Sequence, residues 1–112
     1  MAGDECTVYA DVTPSHACEH TFIVGCDLAG TVLEVGEQVT RFRKGDRVWG
    51  SNQSLAGRPG SFSELAAVDE QWLYPSPWSL TDAETVASAL TGITAHLGLF
   101  LHAGLKEGET VF

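Results

Sequence analysis

A chain of 112 residues is one domain at most, with room for a modest core. Hydrophobic residues make up 44% and charged residues 19%, which excludes a disordered chain, and twelve glycines point to many tight turns and a β-rich body. Fifteen acidic side chains against six basic ones leave a formal charge of -9, a surface that repels phosphate backbones and anionic lipid. No nucleic acid and no membrane partner is therefore expected, although a nucleotide is not excluded, because phosphates are often held by local backbone N–H groups.

The first residues, Met1-Ala2-Gly3-Asp4-Glu5-Cys6, carry acids where a secretory leader carries Lys or Arg, and no uninterrupted apolar run reaches the roughly 18 residues of a bilayer span. Cys6, Cys18 and Cys26 are an odd number without a C-x-x-C pair, so no disulfide framework is expected. Together these features predict a cytoplasmic protein.

Residues 1–21 are read as an irregular segment, with at most an edge strand around Cys6–Tyr9. From Phe22 the pattern sharpens. Phe22-Ile23-Val24 runs through Gly25-Cys26-Asp27 into Ala29, Thr31, Leu33 and Val35, which alternate with Gly30, Val32 and Glu34. That is the pattern of a strand covered on both faces and closed at Gly36. Gly45-Asp46 marks a tight turn before a strand at Arg47–Gly50. Residues 51–61 form a loop, Phe62–Val68 another strand, and Trp72-Leu73-Tyr74 a short one stopped by Pro75 and Pro77. The period then changes: Thr81-Asp82-Ala83-Glu84 is a capping box, followed by apolar residues at helical spacing. Gly92 is expected to break this helix in two, Gly104 to cap the second part, and Thr110-Val111-Phe112 to open a new strand.

Three segments, taken in order and spacing, carry a resemblance. They are Gly25-Cys26-Asp27-Leu28-Ala29-Gly30-Thr31-Val32-Leu33-Glu34-Val35-Gly36 with Gly45-Asp46-Arg47-Val48; then Gly60-Ser61-Phe62-Ser63-Glu64-Leu65-Ala66; and then Ala89-Leu90-Thr91-Gly92-Ile93-Thr94-Ala95 with Gly104 to Val111. The chain resembles the GroES-like domain of the medium-chain dehydrogenase/reductase superfamily, in its zinc-independent quinone oxidoreductase branch. The resemblance implies an α+β fold, mainly β with two C-terminal helices. In it, an incomplete barrel over residues 22–109 leads into residues 110–112 as the first strand of a missing Rossmann domain.

It also implies a function: hydride transfer from NADPH or NADH to a quinone, an enone or another carbonyl compound, with the nicotinamide lying between the two domains. Residue by residue, Thr94 matches a threonine that approaches the cofactor, while Asn52 and Gln53 lie in the loop bordering the substrate cleft. Tyr9 stands near a tyrosine placed beside the substrate. The plainer alternatives are a helix hydroxyl bonded to a backbone carbonyl for Thr94 and a solvated polar loop for Asn52 and Gln53. His96 is expected as a satisfied core histidine.

No zinc is expected, since Cys26 and Asp27 occupy the positions where zinc-dependent members carry His-Glu, and three cysteines cannot make a four-cysteine site. His16, Cys18 and His20 alternate as strand neighbours would, but match no known zinc spacing. Without its nucleotide-binding part the chain is expected to be inactive alone. Two other readings are a non-catalytic remnant that self-associates, as a homodimer, through exposed apolar surface, and a fragment of a zinc-dependent alcohol dehydrogenase.

Overall fold

The short alternating runs condense into one antiparallel sheet in the computed structural model, which describes residues 5–9 and 23–112, without the side chains of Glu5 and Tyr9. The strands are β1 (Glu5–Tyr9), β2 (Leu28–Val35), β3 (Arg47–Gly50), β4 (Leu65–Asp69) and β5 (Leu73–Pro75), in the spatial order β4-β1-β2-β3-β5. Cys6, Val8, Leu28, Val32, Phe42, Val48, Ala66, Val68 and Leu73 close into a single core, with Val39 and Trp72 packed against it.

The mainly β, GroES-like architecture is as expected; several details differ. β1 is not an edge strand: it pairs with β2 on one side and β4 on the other. Its inward residues, Cys6 and Val8, are fully buried, but two alternating positions make a pattern too short to stand out in the sequence. The run from Ile23 does not enter the sheet until Leu28, because Gly25 turns the backbone at φ +112°. At its start β2 is covered on both faces, with Leu28, Ala29 and Gly30 all buried where the helix packs over it.

The helix is one body rather than two. Thr81 and Glu84 form the expected capping box, and α1 (Asp82–His96) passes through Gly92 into a wider π turn over Leu97–His102. A lone glycine costs a helix about 1 kcal/mol but removes no hydrogen bond, unlike proline, and the flanking turns outweigh it. A Cβ built at Gly92 meets nothing within 4 Å. Gly92→Ala is therefore expected to stabilise this chain by about 1 kcal/mol, read as a rise in the urea midpoint; an unchanged or lower midpoint would show that a neighbour closes on that position. Gly104, at φ +65°, ends the helix as expected.

Read as one helix, Asp82–His102 has 21 residues and holds an 18-residue window with a mean hydropathy of 1.2, long and apolar enough by those two measures to cross a bilayer. Counting only uninterrupted apolar residues missed this, because Ser88, Thr91 and Thr94 break the run. Leu97, Phe100 and Leu101 remain exposed on it. Residues 110–112 form no strand, since no sheet edge lies beside them among the described residues.

Buried Cys6 gives a pH dependence. Burial, with Glu70 and Asp69 nearby, pushes its thiol from 9.0 up to about 11. The folded chain then keeps a proton that the unfolded chain has already lost. This contribution to stability is complete below pH 9.0 and fades as pH rises toward about 11. Urea midpoints taken below and above that window are expected to fall for the native chain and to fall less for Cys6→Ala; equal slopes would contradict the assignment.

Candidate functional site

The pairing of Leu28 with Gly50 fixes the register of β2 and β3, so the residues just before β2 meet those just after β3. Cys26 and Asp27 thereby face Ser51, Asn52 and Gln53. The Gln53 N–H donates to the Cys26 carbonyl at 2.9 Å, which carries the ladder one step past the strands. Ser61 arrives from the other end of the loop and donates through Oγ to the Asp27 carbonyl at 2.6 Å.

Asp27 is the hub. Its Oδ1 accepts from Ser51 Oγ at 2.5 Å, and its Oδ2 lies 3.4 Å from the Leu90 N–H of α1. One carboxylate thus ties the sheet end, the loop and the helix together. Cys26 Sγ lies 3.8 Å from Ser51 Oγ. A hydroxyl has a single proton, and that of Ser51 is committed to Asp27, so the Cys26 thiol is the donor in this contact. Ser51 and Ser61 are buried, and Cys26 is half-buried.

The loop from Ser51 to Gly60 is held in an uncommon backbone. Asn52, Ser54 and Ala56 have φ of 61°, 63° and 53°, left-handed values that cost residues with a Cβ about 1 kcal/mol each. Asparagine tolerates this best. The Ser54 N–H donates to Pro59 O, the Gly60 N–H to Ile23 O, and Arg58 donates to the Asn52 carbonyl.

The expected site residues fall as follows. Asn52 sits half-buried at the rim, and its carboxamide makes no hydrogen bond among the described residues. Gln53 is 4% exposed, with Nε2 donating to Ser51 O at 3.1 Å, so its side chain is engaged within its own loop. Thr94 is exposed one helical turn beyond Leu90. Its hydroxyl has no partner among the described residues, whereas Thr85, Ser88 and Thr91 each bond to a carbonyl one turn back. The structure therefore places Asn52 and Gln53 on the loop whose first residue, Ser51, donates to Asp27, and sets Thr94 one turn from that carboxylate's helix contact. Tyr9 lies in β1 between Thr31 and Leu65, and its side chain falls outside the described residues.

His96 is not a core histidine: it is exposed, its ring tilted against Phe100 at a centroid separation of 5.0 Å, and it borders an open cleft shared with Trp49 of β3 rather than a packed core. His16, Cys18 and His20 lie outside the described residues, and no three His, Cys, Asp or Glu side chains converge among the described ones. Sequence reading passed over Ser51, Ser61 and Arg58. Their only signal was the count from Gly25 to Gly60, which places both loop ends beside Asp27 once the β2–β3 register is known.

The family model for the alcohol dehydrogenase GroES-like domain matches residues 3–78. The chain is 37% identical over 93 residues to a quinone oxidoreductase-like protein 2 homolog of Nematostella vectensis, covering 83% of this chain and 24% of that relative. It is 41% identical over 97 residues to the trans-enoyl reductase grgB of a Penicillium species, covering 78% and 27%. Among solved structures, the Escherichia coli quinone oxidoreductase complexed with NADPH superposes with a TM-score of 0.71 at 19% identity, over 93% of this chain and 34% of that one, a likeness of fold alone. The chain spans about a quarter of the length of the curated relatives it matches. By this match to more than half of its residues, the chain belongs to the alcohol dehydrogenase GroES-like domain family, within the medium-chain dehydrogenase/reductase superfamily.

Proposed function

We propose that this chain is the substrate-side wall of an NAD(P)H-dependent reductase acting on quinones, enones or related carbonyl compounds, without zinc. The observation that carries the reading is the rim itself: Asn52, with a free carboxamide, directly follows the Ser51 that donates to Asp27, and the unpartnered Thr94 hydroxyl lies on the helix that meets the same carboxylate at Leu90. A carboxamide can donate to a carbonyl oxygen, and an exposed hydroxyl can meet the amide of a nicotinamide, which are the two contacts such a wall has to supply. The nicotinamide cofactor supplies the hydride when bound. This chain's residues orient the acceptor beside it and exclude water, so positioning is their contribution to rate.

The names of the relatives, a quinone oxidoreductase-like protein and a trans-enoyl reductase, support the substrate class. The zinc-free reading rests on Cys26 and Asp27, whose nearest partner is the Ser51 hydroxyl rather than a further thiol or imidazole. Nothing in the chain resembles a glycine-rich phosphate turn, so the isolated chain is expected to oxidise no NADPH.

Amide shifts of the labelled chain, titrated with a hydroquinone and a saturated ketone, test the wall. These product-like molecules do not alkylate thiols as quinones do. The expected result is a footprint on Asp27, Asn52, Leu90 and Thr94. A footprint confined to another face, or none near saturation with either molecule, would sink the proposal.

A further inference from the structure

Arg58 touches neither Asp27 nor Cys26, yet its contacts govern the loop that carries Asn52. Its Nη2 donates to the Asn52 carbonyl, and its guanidinium lies 4.1 Å over the Trp72 ring. Nε is buried and makes no hydrogen bond among the described residues, so Nη2 carries the polar contact to the loop. A guanidinium can work through its edge and its face at once, which an ammonium cannot.

Trp72 lies close to the loop at two points. Its ring packs against the core and lies beneath Arg58, while its carbonyl stands 2.7 Å from where a Cβ on Gly50 would be, immediately before Ser51. The loop between these two points holds three left-handed residues that would relax if released. Among the described residues, the Arg58 bond is the only side-chain hydrogen bond made to Asn52.

We propose that Arg58 is a positioning residue for Asn52: braced on Trp72, it holds the Asn52 carbonyl and so fixes where the free carboxamide presents itself to a carbonyl-bearing ligand. This rests on the substrate-wall reading above, and the test separates the two.

Amide hydrogen exchange is followed for Gln53 and Ser54 in the loop and for Val32 and Val48 in the sheet. Arg58→Ala and Arg58→Lys are each expected to speed loop exchange about tenfold or more, leaving the sheet amides unchanged. Guanidinium ion, well below denaturing concentration, is expected to restore protection to Arg58→Ala and not to Arg58→Lys, which identifies the guanidinium group as what holds the loop, while the ketone titration below separates positioning from structure. Loop exchange unchanged in both variants would overturn the proposal. So would loss of sheet protection in Arg58→Lys, which would make the arginine a residue of the fold as a whole. The same samples are titrated with the saturated ketone. Binding weakened alike by Asn52→Ala and Arg58→Lys supports both ideas. If neither variant alters binding while the loop still loosens, the substrate reading fails and the brace stands. If only Asn52→Ala alters binding, the positioning role is wrong.

Discussion

Gly60→Ala is expected to cost most or all of the stability of the fold. A Cβ there would lie 2.2 Å from the Val24 carbonyl carbon, 2.3 Å from its oxygen and 2.4 Å from Ile23 O. All three are backbone atoms, so no side chain can swing aside to make room. The crossing is also hydrogen-bonded: Gly60 N–H donates to Ile23 O, Ser61 N–H to Gly25 O and Phe62 N–H to Val24 O. Opening the crossing to relieve the clash breaks these bonds and carries Ser61 away from Asp27. A loss of at least about 3 kcal/mol follows, a large share of the roughly 5–15 kcal/mol that a domain of this size possesses. Urea denaturation is the check, and a midpoint near that of the native chain would show that the two segments do not cross so closely.

Leu73→Ala is expected to cost about 2–5 kcal/mol, with the site loosened as well. Leu73 is fully buried in β5, and its side chain also stands against Gly50, the last residue of β3. Removing it leaves a cavity beneath the strand from which the Ser51–Gly60 loop departs. Leu101→Ala is the control: Leu101 is 69% exposed on the far end of the helix, so its truncation in this chain is expected to change stability by less than about 0.5 kcal/mol. Similar losses for the two variants would mean that the helix end is covered in solution. That result would favour the self-associating reading over a monomeric chain.

The sheet was legible where the sequence alternates over several residues. β2 and β3 lie where Ala29 to Val35 and Arg47 to Gly50 place them, and the capping box at Thr81 marks the helix start to the residue. β1 was legible only as a possible edge strand around Cys6–Tyr9; its central place was not, because Cys6 and Val8 are too few to establish a period and pairing with strands about 25 and 60 residues away decides it. Gly92 misled because helix propensity is a local preference that the flanking turns override.

Resemblance pointed to Tyr9, Asn52, Gln53 and Thr94, whereas the close crossing at Gly60 was not read from the sequence. The Asp27 hub and the Arg58 brace depend on register: they exist only because Leu28 pairs with Gly50, a long-range fact that no local pattern carries. Gln53 shows the same limit, since its burial against its own loop cannot be read from a polar residue in a polar stretch.

We propose above that this chain supplies the substrate wall of a nicotinamide-dependent reductase. The most direct measurement is NADPH consumption with a quinone or an enone, after joining the chain to the nucleotide-binding part of a quinone oxidoreductase. Folding and NADPH binding of the fusion are verified first. Turnover that Asn52→Ala diminishes and the exposed Trp78→Ala leaves intact is the expected result. A folded fusion that binds NADPH and reduces neither class of acceptor would contradict the account.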